Sequence, residues 1–337
     1  MSLLSMKYNL STSILSVLFF TFLFFSCDEP ADSPYQKIVF EKKAPMPGVG
    51  RSSAVGFAVN GKGYVALGRK SAENELFKDC WEYDPVNNSW TQKANFPGAT
   101  RVKATAATVD GKAYVGLGFN PAKGMFKDSA YLNDWWMFEP DKNKWTKRTS
   151  FPGSGRISCI SFVKDGLIYV GAGYQGLNFT SELFAYNPAT NGWIGKASIV
   201  EKMRSGAVAC SDGQKVFFGT GFTAFDENDW YEYKAEDDTW KKRKSLPDAG
   251  RENGIALSVG NRFFVSTGRN FGGELTGGHV KSDILEYDPI KNAWHKRGNI
   301  PSGERENAIS FVIDNKAYIG FGENDTTVIN DLWCFEP

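Results

Sequence analysis

The chain has 337 residues with 39 basic and 38 acidic side chains, a formal charge of +1. That balance supplies no basic field for a nucleic-acid backbone. Two histidines and five cysteines, none in a CxxC pair, leave metal chemistry short of ligands, so no nucleic acid, metal or cofactor is expected.

Lys7 precedes an apolar run, ILSVLFFTFLFF, from Ile14 to Phe25. Twelve residues are too few to span a bilayer but suit an export signal. The run ends in Phe24-Phe25-Ser26-Cys27, which resembles a bacterial lipobox, so residues 1–26 are expected to be removed and Cys27 lipidated. The acidic, Pro-containing DEPADSP that follows reads as part of a flexible tether over residues 27–35. The expected location is the outer membrane, with the cell surface or the periplasmic face as alternatives. Cys80, Cys159, Cys210 and Cys334 fall at unmatched positions of the repeats below and read as free thiols.

From residue 36 onward one unit recurs six times. An arginine opens each copy at Arg51, Arg101, Arg156, Arg204, Arg251 and Arg305. Thirteen residues later stands an aromatic: Tyr64, Tyr114, Tyr169, Phe217, Phe264 and Tyr318. A first strand alternates small residues (Ala54 and Gly56, Ala104 and Ala106, Cys159 and Ser161) with branched ones (Val55, Thr105, Ile160), which gives a strand with two unlike faces. The all-small face suits the crowded centre of a radial array. A second strand is the YVALG series. A third is the EYDP series, and a fourth starts at Trp90, Trp145, Trp193, Trp240 and Trp294. The last copy stops at CFEP, one strand short. KIVFEKKAPMP (Lys37 to Pro47), with Phe40 at the Trp position, supplies the missing strand from the other end of the chain and removes open sheet edges.

Four antiparallel strands in about 50 residues, with this order of Tyr, Gly, Tyr-Asp-Pro and Trp, resemble the kelch repeat over nearly all of residues 36–337. The resemblance implies an all-β, six-bladed β-propeller closed by its N-terminal strand. It departs from the family pattern in one respect: of the usual Gly-Gly after the second strand only the second glycine is present (Gly68, Gly118, Gly173, Gly221, Gly268, Gly322).

Antiparallel connectivity puts the six arginines and the residues after these glycines (Arg69, Phe119, Tyr174, Phe222, Arg269, Glu323) at one end of the blades. The longest loops there, Phe119 to Asn133 and Arg269 to Ser282, belong to blades 2 and 5, which face each other across a six-fold ring. Two readings of the arginines stand side by side. They form an anion-attracting mouth, or they pair internally with Asp79, Asp134, Glu182, Asp229, Asp283 and Asp331, which precede the third strands. The segments Arg251-Glu252-Asn253 and Arg305-Glu306-Asn307 are the most site-like feature. Tyr131, Trp135 and Trp230 read as core or as stacking platforms, and His279 and His295 as surface residues.

These features point to a glycan- or protein-binding module, expected as a monomer held to the membrane only by its lipid. The alternative is an enzyme similar to the six-kelch N-acetylneuraminate epimerases (sialic acid mutarotases), with Glu252 and Glu306 as acid and base. Galactose-oxidase-like copper chemistry needs histidines near the axis, where the sequence has none.

Overall fold

The computed structural model describes residues 35–70, 75–124, 127–200, 202–271 and 277–337. The expected leader, Cys27 and the tether up to residue 34 lie outside the described residues. Lys37–Pro337 forms one compact unit built of six four-stranded antiparallel sheets. Blade 1 runs outward from Val55–Val59 through Lys62–Ala66 and Cys80–Asp84 to Ser89–Lys93, and blades 2 to 5 repeat the order. Blade 5 carries an extra ribbon above it, Arg269–Asn270 paired with His279–Val280.

Blade 6 takes its outer strand from the other end of the chain. Phe40–Lys43 pairs antiparallel with Leu332–Phe335, Phe40 opposite Phe335, with the two rings edge to face at 5.2 Å. The fourth strand therefore comes from where the sequence places it. Nearer the axis two backbone bonds tie blade 6 to blade 1, Gly322 N–H to the Arg51 carbonyl (3.0 Å) and Ser53 N–H to the Asn307 carbonyl (3.2 Å).

The alternation in the first strands sorts as expected. The small positions line an axial cavity of about 240 Å³, while Val55, Ile160, Val208, Ile255 and Ile309 are buried between blades. The repeated Tyr-Asp-Pro-x-x-Asn-x-Trp has a mechanical purpose. Asn88, Asn143, Asn191 and Asn292 sit in the left-handed region, which Asn tolerates better than most residues. Each side-chain oxygen accepts the backbone N–H of Ala44, Ala94, Thr149 or Lys244 in the preceding blade. The following Trp90, Trp145, Trp193 and Trp294 donate their indole N–H to the carbonyls of those same four residues at 2.8–3.0 Å. Tyr83, Tyr186 and Tyr287 close the knot by donating to the asparagines. The repeated sentence is a clasp between neighbouring blades.

The missing first glycine has a structural consequence. Leu67, Leu117, Ala172, Thr220, Thr267 and Phe321, at that position, hold φ between +54° and +64°, so the conformation a glycine would take freely is imposed on residues with side chains. In five blades the carbonyl of that residue accepts from Nη1 of the opening arginine. The glycine that remains has no substitute: a Cβ on Gly68, at φ +87°, lies 2.6 Å from the Ser52 carbonyl oxygen.

Candidate functional site at the propeller mouth

The six arginines lie inside the blades, 0–2% exposed. Arg51 holds Asp79 with two bonds of 2.8 and 2.9 Å, Arg101 holds Asp134 at 2.6 and 2.8 Å, and Arg204 holds Asp229 at 2.5 and 2.8 Å. Arg251 and Arg305 grip Asp283 and Asp331 in the same fork. Arg156 meets Glu182 through one bond of 2.5 Å. Arg51, Arg101 and Arg156 also lie over the rings of Phe77, Phe96 and Phe151 at 4.4–4.8 Å. Planar guanidinium, planar carboxylate and aromatic face form a layered plug. Burial raises the pKa of Asp79, Asp134 and Asp331, but the arginine bonds outweigh it and hold all three below the usual carboxylate range. These six cations are committed to the scaffold, and other groups face the mouth.

The floor of the mouth is a closed belt. Ser53, Lys103, Ser158, Gly206, Asn253 and Asn307 stand two residues after each arginine, at φ between +52° and +62°. Each N–H donates to the carbonyl of its counterpart in the preceding blade at 2.9–3.3 Å, all the way round. Left-handed backbone costs roughly 1 kcal/mol per residue with a side chain, and the unbroken circle of hydrogen bonds offsets it.

Among the described residues, two charged groups stand on this floor. The Lys103 ammonium reaches Asn253 Oδ1 at 3.2 Å. Because blades 2 and 5 are opposite, that bond carries the ammonium over the propeller axis. Beside it is Glu252, whose carboxylate has no hydrogen bond or ion pair among the described residues. It occupies space left by the missing side chain in blade 4, where a Cβ on Gly206 would lie 3.0 Å from Glu252 Oε2. Burial pushes the Glu252 carboxyl up; Lys103 and Arg269 pull it down, Asp226 and Glu306 push it further up, and it settles at about 7.

The wall above the belt has two unlike halves. Over blades 5, 6 and 1 it is ionic. Arg269 Nε donates to Glu306 (2.7 Å) and its Nη2 to Asp325 (2.6 Å), while Arg69 binds both oxygens of Glu323 (2.9 and 3.1 Å). Asn307 Nδ2 donates to Glu323 at 3.0 Å, and Asn253 Nδ2 to Glu306 at 3.4 Å. Over blades 2 to 5 it is aromatic. Phe119, Tyr131, Tyr174, Phe179, Phe222 and Phe271 follow one another at ring separations of 5.0–6.2 Å, all half-buried. Arg269 joins the halves, 5.9 Å from the Phe271 ring.

Of the residues singled out from the sequence, Glu252, Asn253, Glu306, Asn307, Arg69, Tyr174, Arg269 and Glu323 are brought together here. Trp135 and Trp230 are fully buried core, and Tyr131 is the one of that trio that reaches the mouth. The four remaining cysteines are free. Lys103, Asp226, Phe179 and Phe271 escaped sequence reasoning. For Lys103 a signal existed, since the other five belt positions hold Ser, Ser, Gly, Asn and Asn. Among the described residues no cluster of His, Cys, Asp or Glu is placed to hold a metal.

No family model matches the chain. Kelch-like protein 25 of Xenopus tropicalis is 27% identical over 82% of this chain and 46% of its own length. N-acetylneuraminate epimerase of Pasteurella multocida is 28% identical over 54% of this chain and 45% of its own length. The chain thus spans less than half of either relative. The solved structure of YjhT superposes with a TM-score of 0.72 at 20% identity, covering 86% of this chain and 95% of that one, a likeness of fold.

Proposed function

We propose that this chain, a kelch-type six-bladed β-propeller resembling N-acetylneuraminate epimerase, is a carbohydrate-binding module whose ligand sits in the mouth. The observation that carries the proposal is the pairing of an unpartnered carboxyl, Glu252, and the axial Lys103 ammonium with an arc of half-buried aromatic rings. A pyranose needs an aromatic surface for its C–H face and a few fixed polar groups for its hydroxyls. Here Tyr174 and Phe222 offer the surface, and Glu252, Lys103, Asn253 and Asn307 the polar groups. Calorimetric titration with neutral glycans tests this. Lys103→Met and Glu252→Gln should each weaken binding by roughly tenfold, the value of about one hydrogen bond to a charged group; unchanged affinity in both variants overturns it.

A second reading, mutarotation of a sugar, draws on Glu252 alone: a free carboxyl near neutrality can move a proton either way. Glu306, the partner expected for it from the sequence, is held by Arg269. Anomer exchange followed by NMR, absent with the chain and with Glu252→Gln alike, would dispose of it. A protein ligand is favoured by a different observation, the exposed Leu177, Met203 and Phe225 on the loops of blades 3 and 4. We also propose export and a lipid anchor at Cys27, supported by the apolar run and the lipobox-like Phe-Phe-Ser-Cys. Fatty-acid labelling of the chain that persists in Cys27→Ser would refute the anchor.

A further inference from the structure

The charges of the mouth determine which sugars it takes. Every opening arginine is buried on its own acid, so none offers a free guanidinium to an anion. The two arginines that reach the wall are bound as well, Arg69 by Glu323 and Arg269 by Glu306 and Asp325. Lys103 is then the one cation of the floor among the described residues, and Asn253 already engages it. Against it stands Glu252, which has no hydrogen bond or ion pair among the described residues, with Lys103 and Arg269 on one side and Asp226 and Glu306 on the other close enough to act on it electrostatically. Taken together, Glu252, Asp226, Glu306, Glu323 and Asp325 outnumber Lys103, Arg69 and Arg269. The opposite wall adds aromatic faces, whose quadrupoles favour cations and disfavour anions.

We infer that the mouth selects amino and neutral pyranosides and rejects acidic ones, the unpaired Glu252 taking the ammonium or a hydroxyl and the bound arginines leaving no seat for a sugar carboxylate. This inference rests on the carbohydrate reading above and specifies its ligand class. It sets the chain apart from the epimerases it resembles, whose named substrate carries a carboxylate.

The experiment uses the full chain and three methyl pyranosides that share one ring and differ in charge: glucosamine, glucose and glucuronate. Titrated at neutral pH, where Glu252 is about half ionised, and at low salt, affinity should fall in that order, with roughly threefold between successive members, as expected for about half a unit of charge near a partly screened opposite charge. Added salt should compress the series. Glu252→Gln should lower the preference for the amino sugar, because it removes the unpaired acid without changing shape. Glucuronate binding as tightly as glucose, or a series unaltered in Glu252→Gln, overturns the selectivity and leaves the carbohydrate reading standing. Failure of all three sugars, and of longer neutral glycans, overturns both.

Discussion

At the scale of single residues, Glu252 and the aspartates of the arginine plugs respond to pH in opposite ways. The folded state raises Glu252 to about 7, above the ordinary value of 4.5. Its native form therefore holds a proton that the unfolded chain releases, and folding loses stability as pH rises between those values. Glu252→Gln removes the loss. The variant should be more stable than the parent by on the order of 2 kcal/mol at pH 8 and nearly equal to it at pH 5. Urea denaturation at the two pH values measures this; an equal effect at both would mean that Glu252 is not the group strained by ionisation. Asp79, Asp134 and Asp331 are depressed, so their stabilisation is complete above about pH 4 and is lost as pH falls through their native values. Glu252 therefore weakens the fold on its neutral side and the plugs weaken it on the acid side.

At the scale of the element, blade 3 differs from the other five. Their arginines face an aspartate in a two-bond fork, while Arg156 faces Glu182, whose side chain is 50% exposed. Nη1 of Arg156 is buried without a partner. The extra methylene of glutamate moves the carboxylate outward, so one bond forms where its neighbours have two. Glu182→Asp should restore the fork and stabilise the propeller by about 1 kcal/mol, the usual net worth of a regained buried hydrogen bond. A thermal melt that is unchanged or lowered would show that blade 3 is built around the longer side chain. The arginine-to-acid pairing was legible in the sequence as one of two readings, because six arginines and six acids recur at matching places. The sequence could not decide between them, since it does not show whether a guanidinium turns toward its own blade or toward the axis. The bulky residues at φ near +60° were equally hidden: the absence of Gly-Gly looked like divergence, and only the backbone shows that the glycine conformation stayed.

At the scale of the whole molecule, the six copies share a scaffold and differ at the mouth. Repeat spacing and the short last copy made blade number, strand order and the closing strand legible, because those depend on local pattern and chain length. The mouth depends on reach across the ring. Lys103 and Asn253 are 150 positions apart and meet because a six-fold ring opposes blades 2 and 5, a relation that no local pattern encodes. The split of the wall into aromatic and ionic halves was present in the series Arg69, Phe119, Tyr174, Phe222, Arg269, Glu323, yet it acquires meaning only when the series is bent into a circle. Closure itself is testable. Removing residues 37–45 takes away the strand paired with Leu332–Phe335 and the Ala44 clasp to Trp90, and should abolish the single cooperative transition on heating. A truncated chain that melts like the parent would contradict closure by that strand.

The most direct test of the mouth as a sugar site is a saturation-transfer NMR spectrum of a neutral glycan with the full chain, repeated with Lys103→Met and Tyr174→Ala. Transfer to the protons on one face of the sugar ring, reduced in both variants at equal ligand concentration while their thermal melts stay close to the parent's, is the predicted result. Transfer undiminished by both substitutions, or no transfer with any neutral glycan, would contradict the assignment of the mouth.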